Sequence, residues 1–250
     1  MIPKIIHYCW LSGEPYPEKV QTCIESWKQV LPDYEIWLWD ADRFHIQSIP
    51  WVYEAVKAEK YAFASDYIRF YALYHFGGIY LDSDVEVLKS LDGLLNQKFF
   101  FGFEYSGQPE AAVIGAVQHL KWLRRCMEWY ENHDFGTFIT SKKQIVAPTI
   151  FRHGFEKTYH ARLMDNGKVQ SIHSGSIFPY QYFSPKNGFT GKICMTGKTY
   201  AVHHFHAAWL GNLSVGVQIR RWIHAAMLKC MGRRHYNQVM YGIRKVLHRT

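Results

Sequence analysis

Read for its pattern of apolar and polar positions, the chain opens on a strand. Ile2 to Trp10 is rich in β-formers and ends at Ser12-Gly13. Val20, Cys23, Ile24, Trp27 and Val30 then recur at the spacing of one helical face, and Pro32 stops that helix. Tyr34 to Asp40 reads as a second strand. Strand, helix and strand at this spacing predict a right-handed βαβ unit and a parallel sheet. A helical stretch follows from Trp51 to Phe76, in one or two pieces, and Gly77-Gly78 supplies its stop. Ile79-Tyr80-Leu81 has the signature of a short buried strand and runs straight into Asp82-Ser83-Asp84. Lys98 to Phe103 predicts a further strand and Val117 to Asn132 a further helix. Residues 135–200 are rich in Gly, Pro, Ser and aromatics and give no regular pattern. Thr199 to Phe205 reads as a strand, and from Val215 onward the pattern is helical with a break at Gly232.

Composition alters this picture little. An apolar share of 48% with 20% charged residues is that of an ordinary globular chain, and 250 residues suit one large domain with or without a helical appendage. The five cysteines (Cys9, Cys23, Cys126, Cys194, Cys230) are scattered and form no C-x-x-C pair, which argues against both a disulfide framework and a zinc site. The first strand leaves no room for a signal peptide, and no stretch approaches the ~20 apolar residues of a membrane-spanning helix. Cytoplasmic residence is therefore expected. Charge is more telling. Residues 166–250 carry twelve Lys or Arg and no Asp or Glu, so a chain of net charge +8 leaves −4 for residues 1–165. Such asymmetry predicts a basic surface or tail facing an anionic partner.

The sharpest chemical signal is Gly77-Gly78-Ile79-Tyr80-Leu81-Asp82-Ser83-Asp84. In an extended backbone, residues two apart point to one side, which would present the carboxylates of Asp82 and Asp84 together at a strand end. Two like charges so close repel, and a hard divalent cation relieves that repulsion. Mn2+ or Mg2+ fits such oxygen donors and would bridge them to phosphate. Upstream, Asp66 and Arg69 stand three apart in Ala64-Ser65-Asp66-Tyr67-Ile68-Arg69, so they share a helix face and can pair. Surface pairs of this kind are common. Here the surroundings are mostly apolar or aromatic, which favours a polar couple lining a cleft. Third, Tyr200-Ala201-Val202-His203-His204-Phe205-His206 offers imidazoles at the end of a strand. Neighbours on a strand face opposite ways, so His203 and His204 cannot both meet one ion, whereas His204 and His206 could. Trp10, at the exit of the first strand, could stack a base or simply fill the core.

These segments, with Ile2-Pro3-Lys4-Ile5-Ile6-His7-Tyr8-Cys9-Trp10, resemble in order and spacing the DXD-containing sugar transferases of glycosyltransferase family 32. That family includes bacterial capsular-polysaccharide enzymes and initiating mannosyltransferases, and the glucosyltransferase domains of clostridial toxins are similar in the same segments. The resemblance is dense from residue 2 to about 104, thinner to 209, and uninformative in the tail. It implies an α/β fold of the GT-A type, a Rossmann-like mixed sheet flanked by helices, over residues 1–212, with a basic helical extension over 213–250. It also implies a retaining transfer of a hexose or N-acetylhexosamine from a UDP- or GDP-sugar. The acceptor would be a saccharide or lipid-linked molecule, in surface polysaccharide synthesis. By the resemblance Trp10 stacks the base, Asp66 and Arg69 hold the donor sugar, and His7, Ser65, Tyr80, Ser83 and Trp209 complete the donor site. Asp82 and Asp84 meet the metal, Asp84 directly, and His204 is the favoured imidazole ligand. Ala208 stands where many relatives have Ser, which puts one hydrogen bond to the leaving diphosphate in doubt.

Two other readings compete. An apolar strand ending in Asp82-Ser83-Asp84 also resembles the first motif of haloacid-dehalogenase-like phosphatases. Those enzymes need a later acidic pair, and nothing acidic follows Asp165. A non-catalytic membrane-surface protein is the other. Its case rests on Arg220, Arg221, Lys229, Arg233, Arg234, Arg244, Lys245 and Arg249, with an apolar stripe of Trp222, Ile223, Ala226, Met227 and Cys230 between them. Contact of 215–250 with anionic membrane is compatible with catalysis. Nucleic acid is not expected as a partner, since no recognised module accompanies the charge.

Overall fold

The computed structural model describes residues 1–141, 145–205 and 215–247. The chain enters through β1 (Ile5–Cys9), passes through α1 (Glu18–Val30) and returns as β2 (Glu35–Trp39), parallel to β1 with Ile5 opposite Glu35. Two helices, α2 (Pro50–Lys57) and α3 (Tyr61–Phe76), then lead back past β1 to β3 (Gly78–Leu81), which lies parallel on the other side of β1. The expected βαβ unit and the two-piece helix are both present.

Side-chain alternation divides the core into two layers. Ile6, Tyr8, Ile79 and Leu81 face Val20, Ile24 and Trp27 of α1, while Cys9, Trp39 and Tyr80 face the α2–α3 side. The two crossovers thus cover opposite faces of the sheet. The connections diverge on either side of β1, and the gap between the carboxyl ends of β1 and β3 is where open α/β sheets bind ligands.

Past β3 come β4 (Val85–Val87), β5 (Phe99–Phe103) and β6 (Pro109–Ala116). After α4 (Lys121–Glu131), α5 (Phe135–Thr140) and α6 (Ala147–Tyr159) follow β7 (Gln170–Ile172), β8 (Gly175–Phe178) and β9 (Ala201–His203). Among the described residues the main sheet runs β2-β1-β3-β6-β5-β8-β7, with β3–β6, β5–β6 and β7–β8 antiparallel. β4 and β9 form a small antiparallel ribbon. The described residues of 135–200, a stretch with no regular pattern in the sequence, thus hold two helices and two strands.

No linker separates α3 from β3. Gly77 caps the helix at φ 64° and Gly78 turns the chain at φ 104°. A Cβ on Gly78 would lie 2.7 Å from the Ile5 carbonyl oxygen, so β3 can lie this close to β1 only with glycine there. That direct junction fixes the distance between Asp66 and Arg69 on α3 and the Asp82–Asp84 turn beyond β3.

The C-terminal helix α7 (Val215–Leu247) is broken at Gly232, as expected, with φ 71° and ψ 157°. The part beyond the break packs on the domain. Tyr236, Asn237 and Tyr241 are buried, Arg233 Nη1 meets Asp165 Oδ2 at 2.6 Å, and the Tyr241 hydroxyl donates to Glu156.

Candidate active site

Asp82, Ser83 and Asp84 form a tight turn, since the Val85 N–H donates to the Asp82 carbonyl at 3.0 Å. A turn, rather than strand alternation, is therefore what brings the two carboxylates together. The turn is anchored on both sides. Ala112 O accepts from Asp82 N at 2.9 Å, and Trp27 Nε1 of α1 donates to Val85 O at 2.7 Å. From the turn the chain runs into β4, which pairs with β9 so that Val85 lies opposite His203.

That register decides which histidine joins the carboxylates. His203 Nε2 lies 3.5 Å from Asp84 Oδ1. His204 points the opposite way and its Nε2 meets Glu86 Oε2 at 2.7 Å. The favoured ligand His204 is thus corrected to His203: the alternation is as expected, but the β4–β9 register turns the other parity toward the carboxylates. Asp82, Asp84 and His203 each offer a ligand atom, all within 4.8 Å of one another. Two carboxylate oxygens and one imidazole nitrogen fit a divalent ion, and the nitrogen donor suits Mn2+ better than the oxygen-seeking Mg2+.

Asp66 and Arg69 pair, as their spacing predicts, and they also reach the turn. Arg69 Nη2 lies 2.7 Å from Asp66 Oδ1 and 3.4 Å from Asp82 Oδ1. Its Nη1 donates to Ala111 O at 2.7 Å, and the guanidinium lies 4.9 Å from the Tyr80 ring centroid. The Arg69 side chain is 6% exposed, so this is a buried cluster and not a surface pair. Burial pushes the Asp66 carboxyl up to about 6 against the opposing pull of Arg69. Burial likewise raises Asp82, with Arg69 and His203 resisting. For His203, burial alone would lower the imidazole, but Glu110 and Asp84 hold it up to about 10.

The remaining expected donor contacts divide. Trp10 is half-buried at the exit of β1, its indole N–H donating to Glu14 O at 2.7 Å and its ring edge-on to Tyr16. Ser83 sits half-buried in the turn. The Ser65 hydroxyl donates back to Ala62 O at 2.8 Å within its own helix. Tyr80 is buried beneath Arg69 and serves as its floor. Trp209, with His206 and Ala208, lies outside the described residues.

His7 does not face the cleft, and its placement as a donor contact is corrected. It is fully buried: Trp39 Nε1 donates to His7 Nδ1 at 3.1 Å, and His7 Nε2 donates to Gly77 O at 2.7 Å. It locks β1, β2 and the end of α3 together. Burial depresses it to about 4. A histidine lowered from its unfolded value costs stability as pH falls, because the unfolded chain takes the proton first. Between about pH 7.5 and 5 the wild type is expected to lose about 2 kcal/mol through this group, an amount absent from His7→Gln. Urea unfolding of both at the two pH values checks this; parallel slopes would remove His7 as the cause.

Sequence reasoning missed the acids behind the histidines. Glu110 is buried against His203, Glu86 meets His204, and Glu104 is pushed up to about 7 by burial and by Glu110. A lone acid in the apolar run Pro109-Glu110-Ala111-Ala112-Val113-Ile114 was a legible signal for Glu110.

The mixed sheet with its strand-end acidic turn is a fold of the GT-A class. Residues 17–101 match the family model described as the glycosyltransferase sugar-binding region containing the DXD motif. The uncharacterized glycosyltransferase L373 of Acanthamoeba polyphaga mimivirus is 33% identical over 86% of both chains. Inositol phosphoceramide mannosyltransferase 3 of Schizosaccharomyces pombe is 38% identical over 38% of this chain and 28% of its own length. Mannosyl phosphorylinositol ceramide synthase SUR1 of Saccharomyces cerevisiae is 28% identical over 75% of this chain and 51% of its own. The chain therefore spans between about a quarter and a half of these two mannosyltransferases. Among solved structures, the PaToxG glycosyltransferase superposes with a TM-score of 0.50 at 18% identity, covering 63% of this chain and 70% of that one. This chain belongs to glycosyltransferase family 32, the DXD-containing sugar transferases.

Proposed function

We propose that this chain transfers a hexose from a nucleotide diphosphate sugar, with a divalent ion held by Asp82, Asp84 and His203. The observation that carries this is the convergence of those three ligand atoms within 4.8 Å at the carboxyl end of β3. When bound, the ion supplies positive charge to the departing diphosphate. Arg69 opposes the rise that burial imposes on the Asp82 and Asp66 carboxyls and holds both in place. The half-exposed Trp10 ring, at the neighbouring strand end, lies where a base could stack. Breaking the anomeric bond leaves positive charge on the sugar, and the Asp66 carboxylate is the group suited to face it. Retention is what the family resemblance implies; with no carboxylate among the described residues assigned as a nucleophile, attack on the face the diphosphate leaves is the expected course. The phosphatase alternative does not survive the family assignment.

For the sugar and acceptor, the names of the relatives favour mannose and a lipid that carries phosphate. The twelve basic residues after 165, with no acid among them, suit such an anionic acceptor. The saccharide acceptor of surface polysaccharide synthesis is the other class to test. The test is nucleoside diphosphate release from a panel of UDP- and GDP-sugars, with manganese and then with chelator, followed by acceptors of both kinds. Chelator-sensitive release from one donor supports the reading. Neither release nor metal-dependent donor binding would sink it.

We also propose that the helix before Gly232 rests on anionic membrane at the cytoplasmic face. Trp222 is 72% and Ile223 46% exposed, and Lys229 and Arg234 are exposed nearby. No helix among the described residues is long and apolar enough to cross a bilayer. Deleting 215–250 would strip out the buried Tyr236 and Tyr241, so point changes are the cleaner test. Trp222→Ser is expected to weaken binding to phosphatidylserine vesicles about tenfold in flotation. Equal flotation of both proteins would exclude this face.

A further inference from the structure

Behind the proposed metal site lies a carboxylate that none of the three ligand positions accounts for. Glu110 is the second residue of β6 and is 1% exposed. An isolated carboxylate at that depth is strongly disfavoured, so its partners explain its presence. The Ala112 N–H donates to Glu110 Oε1 at 2.9 Å, and His203 Nδ1 lies 3.3 Å from both Oε1 and Oε2.

We propose that Glu110 is a positioning residue that fixes the ring orientation and tautomer of His203 for the metal. The proposal rests on the reading of Asp82, Asp84 and His203 as a divalent-ion site. The two nitrogens of His203 face different groups: Nε2 looks toward Asp84 and Nδ1 toward Glu110. A metal ligand must present a lone pair: with an ion in place of any proton on Nε2, the proton kept on Nδ1 would be accepted by Glu110. A carboxylate on the far nitrogen also makes the imidazole a better donor. Glu110 is not itself part of the ligand cluster, since it lies beyond the ring from Asp84 and the three mutually close ligand atoms do not include its own.

The rest of the fold gives His203 little other restraint. β9 is three residues long, pairs with the three-residue β4 and donates from His203 N to Phe183 O at 3.2 Å; these bonds set the backbone but not the side-chain torsions. The Phe205 ring, centred 3.9 Å from that of His203, limits one side. Glu110 ties the other to the main sheet. The same short stretch also serves the rest of the site: Ala111 O accepts from Arg69, and Ala112 O from Asp82 N. Three consecutive residues of β6 therefore register Arg69, Asp82 and His203 against one another.

The test reads metal binding, not turnover. Mn2+ would be titrated into the full chain and followed by water-proton relaxation, with and without UDP or GDP. Glu110→Ala is expected to weaken Mn2+ binding 10- to 100-fold. Glu110→Gln, which can still accept from Nδ1–H but lacks the charge, should lose about threefold to tenfold. His203→Ala alone should weaken binding at least as much as Glu110→Ala. In the His203→Ala background, either change at Glu110 should then cost nothing further. Equal losses in both backgrounds would overturn the proposal, because Glu110 would then act independently of His203. Unchanged binding in Glu110→Gln and Glu110→Ala would overturn it as well. Should Glu110→Ala fail to fold, the isosteric Gln variant carries the cycle alone. Absence of Mn2+ binding by the wild type, with nucleotide present, would instead defeat the metal reading itself.

Discussion

Asp84→Asn should lower metal-dependent release of nucleoside diphosphate by about a thousandfold, equivalent to ~4 kcal/mol of transition-state stabilisation. The substitution keeps shape and removes one negative charge from a three-group cluster. Asn is a far poorer ligand for a hard divalent ion than carboxylate, so ion affinity and rate should fall together. Stability should move little, or rise, because the turn places two carboxylates close together, with Arg69 beside Asp82 and His203 beside Asp84. A variant that is folded, as stable as the wild type and inactive at all manganese concentrations is the expected result. Release within tenfold of wild type would show that Asp84 does not hold the ion. A fall in activity matched by a fall in unfolding midpoint would make its role structural.

In the first third of the chain α1 is the most legible element because it buries one face. Val20, Cys23, Ile24 and Trp27 mark α1, and Gly77-Gly78 marks the junction that delivers the acidic turn. β6 was invisible for the opposite reason. All eight of its residues are buried, so it has no polar alternation, and small residues such as Ala111, Ala112 and Gly115 weaken any strand signal. The unpatterned stretch 135–200 hides α6, β7 and β8, whose strands are only three or four residues long.

Within the site, residue types were legible and long-range register was not. Alternation shows that His203 and His204 diverge, but which one meets the carboxylates depends on Val85 lying opposite His203, 118 positions away. His7 carries the same lesson. It sits in a family-like segment, yet its register with Trp39 and Gly77 makes it a buried lock. The basic tail shows its charge and its apolar stripe in the sequence, but not that Arg233 is taken up by the buried Asp165.

Arg69 is where fold and site are hardest to separate. Its guanidinium is the only cation paired with Asp66 and Asp82 among the described ion pairs, and it satisfies the Ala111 carbonyl as well. Arg69→Ala would leave two poorly solvated carboxylates facing each other and a buried carbonyl unpaired. Removing one partner of such a buried network costs about 3–5 kcal/mol. Arg69→Ala is therefore expected to lower the unfolding free energy in urea by that amount and to abolish donor release. Arg69→Lys keeps the charge but cannot reach three acceptors with a planar fork, so an intermediate loss of about 1–2 kcal/mol is expected. Asp66→Asn supplies the control. If the cost in Arg69→Ala comes from unpaired negative charge, the double variant should recover part of it, whereas a packing defect would not be repaired. An Arg69→Ala chain as stable as wild type would mean that the cluster is solvated in solution, and the buried ion network would no longer explain how the site holds its shape.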